Sequence, residues 1–187
     1  MKYTLEIQKR LLQVENGNLS PHEKALLLKE AIRIADENDD PQWAVEMRLD
    51  LIYELNLLSQ AEEEIAVFSR ILDDYENNKD LISENDILWK YKWICGAAFD
   101  VPEVSQSQID AILEDFKIRT LRNGYSARAY YHLLFLHYNR MRQYDLAKEY
   151  ADKMLSEKLD DMMCEACELN LLLDYYLETG RFDEAYQ

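Results

Sequence analysis

Chemistry on a protein needs nucleophiles, acids or metal ligands held at workable spacing, and three groupings in this sequence come nearest. Cys164-Glu165-Ala166-Cys167 is a Cys-x-x-Cys pair. A structural zinc ion takes four ligands, usually from two such pairs. No second pair exists, and Cys95 or a histidine would have to arrive from far along the chain. A redox role calls for a strand–helix context of the thioredoxin kind, which the flanking residues lack, so packing is the simpler reading of both thiols. His132 and His137 stand five apart and do not share a helix face as an i, i+4 metal pair would. Glu62-Glu63-Glu64 opens a helix, where negative charge complements the helix dipole.

No P-loop, Gly-x-Ser-x-Gly elbow, dinucleotide fingerprint or His-Glu-x-x-His segment occurs. With 3 histidines and no clustered acid–base set, the sequence points away from an enzyme, and no metal or other cofactor is expected. The formal net charge is −16. Nucleic-acid binding rests on Lys and Arg neutralising phosphates, and anionic membranes attract the same residues, so the charge disfavours both partners. The charge is also uneven: between Asp36 and Asp80 fourteen acids face three bases. That window suits a basic partner as well as a plain solvated surface. An odd cysteine count, an N-terminus (MKYTLEIQKR) without an apolar stretch and no run near ~20 apolar residues fit a reducing cytoplasm.

The elements that would position any site are helices. There are only 4 Gly and 3 Pro in 187 residues, too few for a sheet of tight hairpins, while Leu, Ala, Glu, Lys and Arg fill the long stretches. Ser20 with Glu23, Ser59 with Glu62 and Ser105 with Gln108 each have capping-box spacing, and Ser83 with Asp86 resembles them. Pro21 and Pro41 stand where a first helical turn tolerates proline. Apolar residues such as Ala25, Leu28, Ala31, Ile32 and Ala35 recur at three-and-four spacing. The pattern predicts about ten helices joined by short connections, hence antiparallel neighbours in one architectural unit over residues 1–187. The last helix starts near Phe182 and is expected to reach Gln187, as in an array truncated at its C-terminus.

The helices pair, and the pairs recur. Tyr131, Leu134, Phe135, Tyr138, Arg142, Tyr144 and Ala147 match Leu169, Leu172, Leu173, Tyr176, Gly180, Phe182 and Ala185, each offset by 38. This pattern resembles the tetratricopeptide repeat, most closely at YLETGRFDEA (Tyr176 to Ala185). Phe135 and Arg142 depart from the family's small residue and turn glycine. A looser copy runs through Leu51, Ile52, Leu55, Ser59, Ala61, Glu64, Phe68 and Ile71, with Glu64 where the family has alanine. The resemblance implies an all-α, right-handed α-solenoid of about 4.5 antiparallel hairpins.

In this family the first helix of each hairpin lines a concave face that holds a protein or peptide. Carried over, that gives Glu46, Tyr53 and Asn56 from one hairpin, and Lys90 and Trp93 from the next. His132, Asn139 and Arg140 follow, then Asn170 and Asp174. Asn side chains can pair with a ligand backbone, and Tyr or Trp can anchor it. The Lys/Asn set by which some relatives clamp a terminal carboxylate is missing, and Asp174 would oppose an anionic end. The tyrosines and phenylalanine from Tyr125 to Tyr150 are expected to pack between repeats. The expected role is a non-enzymatic binding scaffold. The alternative is a sensor or regulatory module of a larger bacterial regulator or enzyme.

Overall fold

Amphipathic stretches with their own start and stop signals fold locally. The computed structural model, which describes residues 2–186, has ten α-helices and no β-strand among the described residues. They are α1 Lys2–Asn16, α2 Pro21–Glu37, α3 Pro41–Leu57, α4 Ala61–Asn77, α5 Glu84–Ala98, α6 Gln106–Arg122, α7 Arg128–Arg140, α8 Tyr144–Ser156, α9 Glu165–Glu178 and α10 Phe182–Ala185. A 3-10 turn, Lys79–Leu81, joins α4 to α5. Gln187, which the last helix was expected to reach, lies outside the described residues. Among the described residues no helix is long and apolar enough to cross a membrane.

Three of the four serine caps form. The Ser20 hydroxyl and Glu23 carboxylate satisfy each other's backbone amides at α2, with Ser20 N–H donating to Glu23 Oε2 at 2.8 Å. Ser105 and Gln108 do the same at α6, with Ser105 N–H donating to Gln108 Oε1 at 2.9 Å. Ser83 Oγ accepts from the Asp86 N–H at 3.1 Å. The fourth, Ser59 with Glu62, is corrected: Gln60 is the cap residue of α4, and Ser59 has φ +54°. Ser59 is drawn into the end of the preceding helix rather than the start of the next.

That helix end belongs to a motif used five times among the described residues. Asp39, Ser59, Gly124, Arg142 and Gly180 all take left-handed φ, from +50° to +82°. In each, the residue's N–H donates to the carbonyl three back, and the following N–H donates to the carbonyl five back, as in Gln60 to Leu55, Gln143 to Tyr138 and Arg181 to Tyr176. This Schellman closure satisfies carbonyls a helix end would otherwise leave open. Only two of the five positions are glycine, so three side chains are held in a conformation they resist.

The chain divides into two compact units, Met1–Val101 and Pro102–Gln187. In the first, α1 to α5 pack each on the next. Ile7, Leu28 and Ala31 meet Met47, Leu51 and Leu55 in one core. Arg48, buried on α3, reaches Asp36 of α2 at 2.7 and 2.8 Å and Asp74 of α4 at 3.2 Å, fastening three helices through one guanidinium.

In the second unit α7 packs on α6, α8 and α9, and α9 on α10. Phe135, fully buried, meets the Tyr175 ring edge-on at 5.6 Å, while Ala147, Ala151 and Met154 fill the space beneath. The aromatic run packs within the α7/α8 hairpin, where Tyr138 and Tyr150 stack at 5.3 Å, as well as across to α9. Arg128 holds Glu168 through two 2.7 Å hydrogen bonds and donates to the Glu157 carbonyl at 2.6 Å.

Candidate binding surfaces

In the first unit the outward stripe of α3 carries Glu46, Asp50, Tyr53 and Asn56, all exposed. They recur at three-and-four spacing because the alternate positions, Met47, Leu51 and Leu55, are taken by the core. α5 sets Lys90 and Trp93 beside them. Tyr53 and Trp93 bring their rings to 6.2 Å between centroids, and Lys90 Nζ stands 4.4 Å from the centre of the Trp93 ring. Glu46 accepts from Gln42 Nε2 at 2.7 Å. All five residues expected from the sequence on this stretch therefore lie on or against one surface.

Two further carboxylates lie on and beneath that surface, Asp50 exposed and Glu64 buried. Asp50 is open to water yet close enough to protein that burial raises its pKa, against the pull of Lys90 and with the push of Glu46, Glu15 and Glu54. Glu64, only 1% exposed, is pushed by burial up to about 7, against Asn56 and Lys90. Its Oε1 has no hydrogen-bond partner, and neither has Oε2 of the buried Glu54, whose Oε1 lies 3.7 Å from Lys24. Burial lowers the pKa of Lys90, while Asp50, Glu64 and Asp86 oppose that fall. The signal for Glu64 was in the sequence: a carboxylate standing where the repeat pattern has alanine.

In the second unit a cleft of about 460 Å³ opens between α7 and α9. Leu136, Leu171 and Leu177 give it apolar walls. Arg140 and Arg142 lie on one side, Asp174 and Glu178 on the other. Asn139 also lines it, 6% exposed, with its Oδ1 lacking a hydrogen-bond partner. The structure thus brings together Asn139, Arg140 and Asp174. It does not bring His132 or Asn170 into the cleft: His132 is half-buried two turns earlier on α7, and Asn170 is exposed on α9.

Cys164 caps the start of α9, and Cys167 is exposed in its first turn. Among the described residues no group of three or more His, Cys, Asp or Glu side chains could hold a metal ion. His137 is buried in α7, and burial lowers its pKa against the pull of Asp110. No family model, curated protein or solved structure matches the chain.

Proposed function

We propose that the chain is a non-enzymatic scaffold that binds a protein or peptide through the exposed faces of the first helices of its hairpins. We further propose that the hairpins within each unit stack in the right-handed manner of tetratricopeptide-like repeats, in a cytoplasmic protein. The left-handed turns at Ser59, Arg142 and Gly180, which fall at matched repeat positions, support the stacking.

One observation carries the binding reading: Asn139 lines an open cleft between two first helices and has an amide oxygen without a partner. A buried polar atom left unpaired is costly, on the order of 1–3 kcal/mol. An extended peptide offers a backbone N–H to such an oxygen, and its apolar side chain fits between Leu136, Leu171 and Leu177. Selection of linear peptides on the full chain, followed by fluorescence anisotropy, tests this. Asn139→Ala should weaken the selected peptide about tenfold, the value of one buried hydrogen bond. Lys148→Ala, exposed on α8, should change nothing. Failure to select any peptide, or indifference to Asn139→Ala, removes the reading.

A further inference from the structure

We infer that the α3/α5 surface of the first unit receives a cationic side chain, an arginine of the bound partner, and that Lys90 stands in its place in the unbound protein. The inference rests on the binding function proposed above and names the chemistry of one contact.

The aromatic pair supplies the first argument. Tyr53 is 48% exposed and Trp93 half-buried, and the protein already places a cation on this pair, its own Lys90 ammonium. Ring faces attract cations, and a guanidinium also stacks on them through its plane.

Unmet hydrogen bonding supplies the second. An ionised carboxylate only accepts, and a cation set beside Glu64, which burial holds part-protonated near pH 7, draws its proton off. Glu64 Oε1 and Glu54 Oε2 are buried without a hydrogen-bond partner, while Asp50 on the same surface is open to water. Lys90 lies in the field of Asp50 and Glu64 yet makes no salt bridge with either. It supplies charge to the surface but leaves the acceptors unpaired. A lysine ammonium is a point charge on a flexible stem, whereas a guanidinium carries five donors in a fixed fork. An arginine laid over Trp93 can answer Asp50 and Glu64 together once Lys90 swings out to solvent. Carboxylates outnumber the cations here: Glu46, Asp50, Glu54 and Glu64 face Lys24 and Lys90, so an added positive charge is favoured even before Lys90 leaves.

The test is a titration of N-acetyl-arginine amide into the full 15N-labelled chain, read at the Trp93 indole N–H by NMR. N-acetyl-citrulline amide, of the same shape without the charge, and N-acetyl-lysine amide are the comparison arms. Arginine should give a saturable shift at Trp93, citrulline none, and lysine a weaker one. Lys90→Met should tighten arginine binding about fivefold and Glu64→Gln weaken it about fivefold, the worth of one charge at partly screened distance. Circular dichroism checks that both variants fold. The inference is overturned by equal shifts from citrulline and arginine, by no saturable shift at all, or by Lys90→Met binding no more tightly. Peptide capture at the Asn139 cleft with Trp93 unmoved by arginine would remove this inference alone. An arginine shift with the cleft inert would remove only the cleft.

Discussion

Position 64 in the first unit and position 147 in the second occupy the same place in the repeat, 83 residues apart. Both side chains are buried, Glu64 at 1% exposure and Ala147 at 0%. Around Ala147 lie Phe135, Met154 and Leu172, an apolar lining that closes on a methyl group. Around Glu64 lie Asn56 and Lys90, an amide and a cation that meet a carboxylate halfway. The second helix of a packed pair therefore supports either a dry core or a titratable one, depending on what the neighbouring helices present. The polar version costs stability, since the carboxyl is held near neutral pH by desolvation. The apolar version leaves binding to a separate cleft, where Asn139 is the polar element.

Exchanging the two environments gives the largest expected effect. Ala147→Glu places a carboxylate against Phe135 and Met154 with no amide or cation to receive it, and should destabilise the protein by about 4 kcal/mol in urea denaturation. A loss below about 1 kcal/mol would show that the second unit relaxes as the first does, and the contrast would fail. Glu168→Gln tests the other buried ion pair. It leaves Arg128, 9% exposed, without its carboxylate and should cost about 3 kcal/mol. Asp36→Asn at Arg48 should cost only about 1 kcal/mol, because Asp36 is 44% exposed and Asp74 remains.

Much of this was legible in the sequence, for reasons that also mark where legibility stopped. Ser20, Ser83 and Ser105 could be read because a cap is a local hydrogen bond between residues three apart. Ser59 could not: the spacing to Glu62 is right, but the Schellman closure from Leu55 claims the residue first. α7 starts at Arg128 rather than directly after Gly124 because the Gly124 turn and the Ser126 N–H, which donates to Asp160 at 2.6 Å, hold the residues between outside the helix. The resemblance singles out Tyr53 and Trp93 as first-helix residues, while their ring contact depends on how α3 and α5 are set side by side. Glu64 was visible only as a departure from the repeat. Its meaning depends on Asn56 and Lys90, one on each adjacent helix, which no local pattern connects.

The same contrast predicts a pH effect centred on Glu64 of the first unit. The Glu64 carboxyl titrates near 7 when folded against an ordinary 4.5 when unfolded. The folded state thus holds more protons between those values. The stability this group confers is present below about pH 4.5 and is lost as pH rises to about 7, on the order of 3 kcal/mol in all. Asp50 acts with the same sign. Glu15, Glu46, Glu54 and Lys90 also act on one or both of these groups from α1, α3 and α5. Glu64→Gln should flatten the pH 5 to 8 stability profile and raise the melting temperature at pH 8. An unchanged slope would mean that Glu64 ionises freely and that the two repeat positions are less different than their burial implies.

The smallest effect concerns what the units share. Arg142 at φ +55° and Gly180 at φ +73° occupy matched turns, 38 apart, and Ser59 at φ +54° closes a third of the same kind. A Cβ in left-handed backbone costs about 1 kcal/mol, which glycine avoids. Arg142→Gly and Ser59→Gly should each stabilise the protein by about 0.5 kcal/mol, the relief being partly offset by the greater freedom glycine gives the unfolded chain. Gly180→Ala should cost about 1 kcal/mol even though nothing lies within 4 Å of the added methyl. Because that space is open, any loss at Gly180 comes from the backbone rather than from packing. Opposite signs at positions 142 and 180 would show that the two turns are one structure in two sequences. A loss on Arg142→Gly would show instead that the arginine side chain beside the Asn139 cleft contributes more than its backbone strain removes.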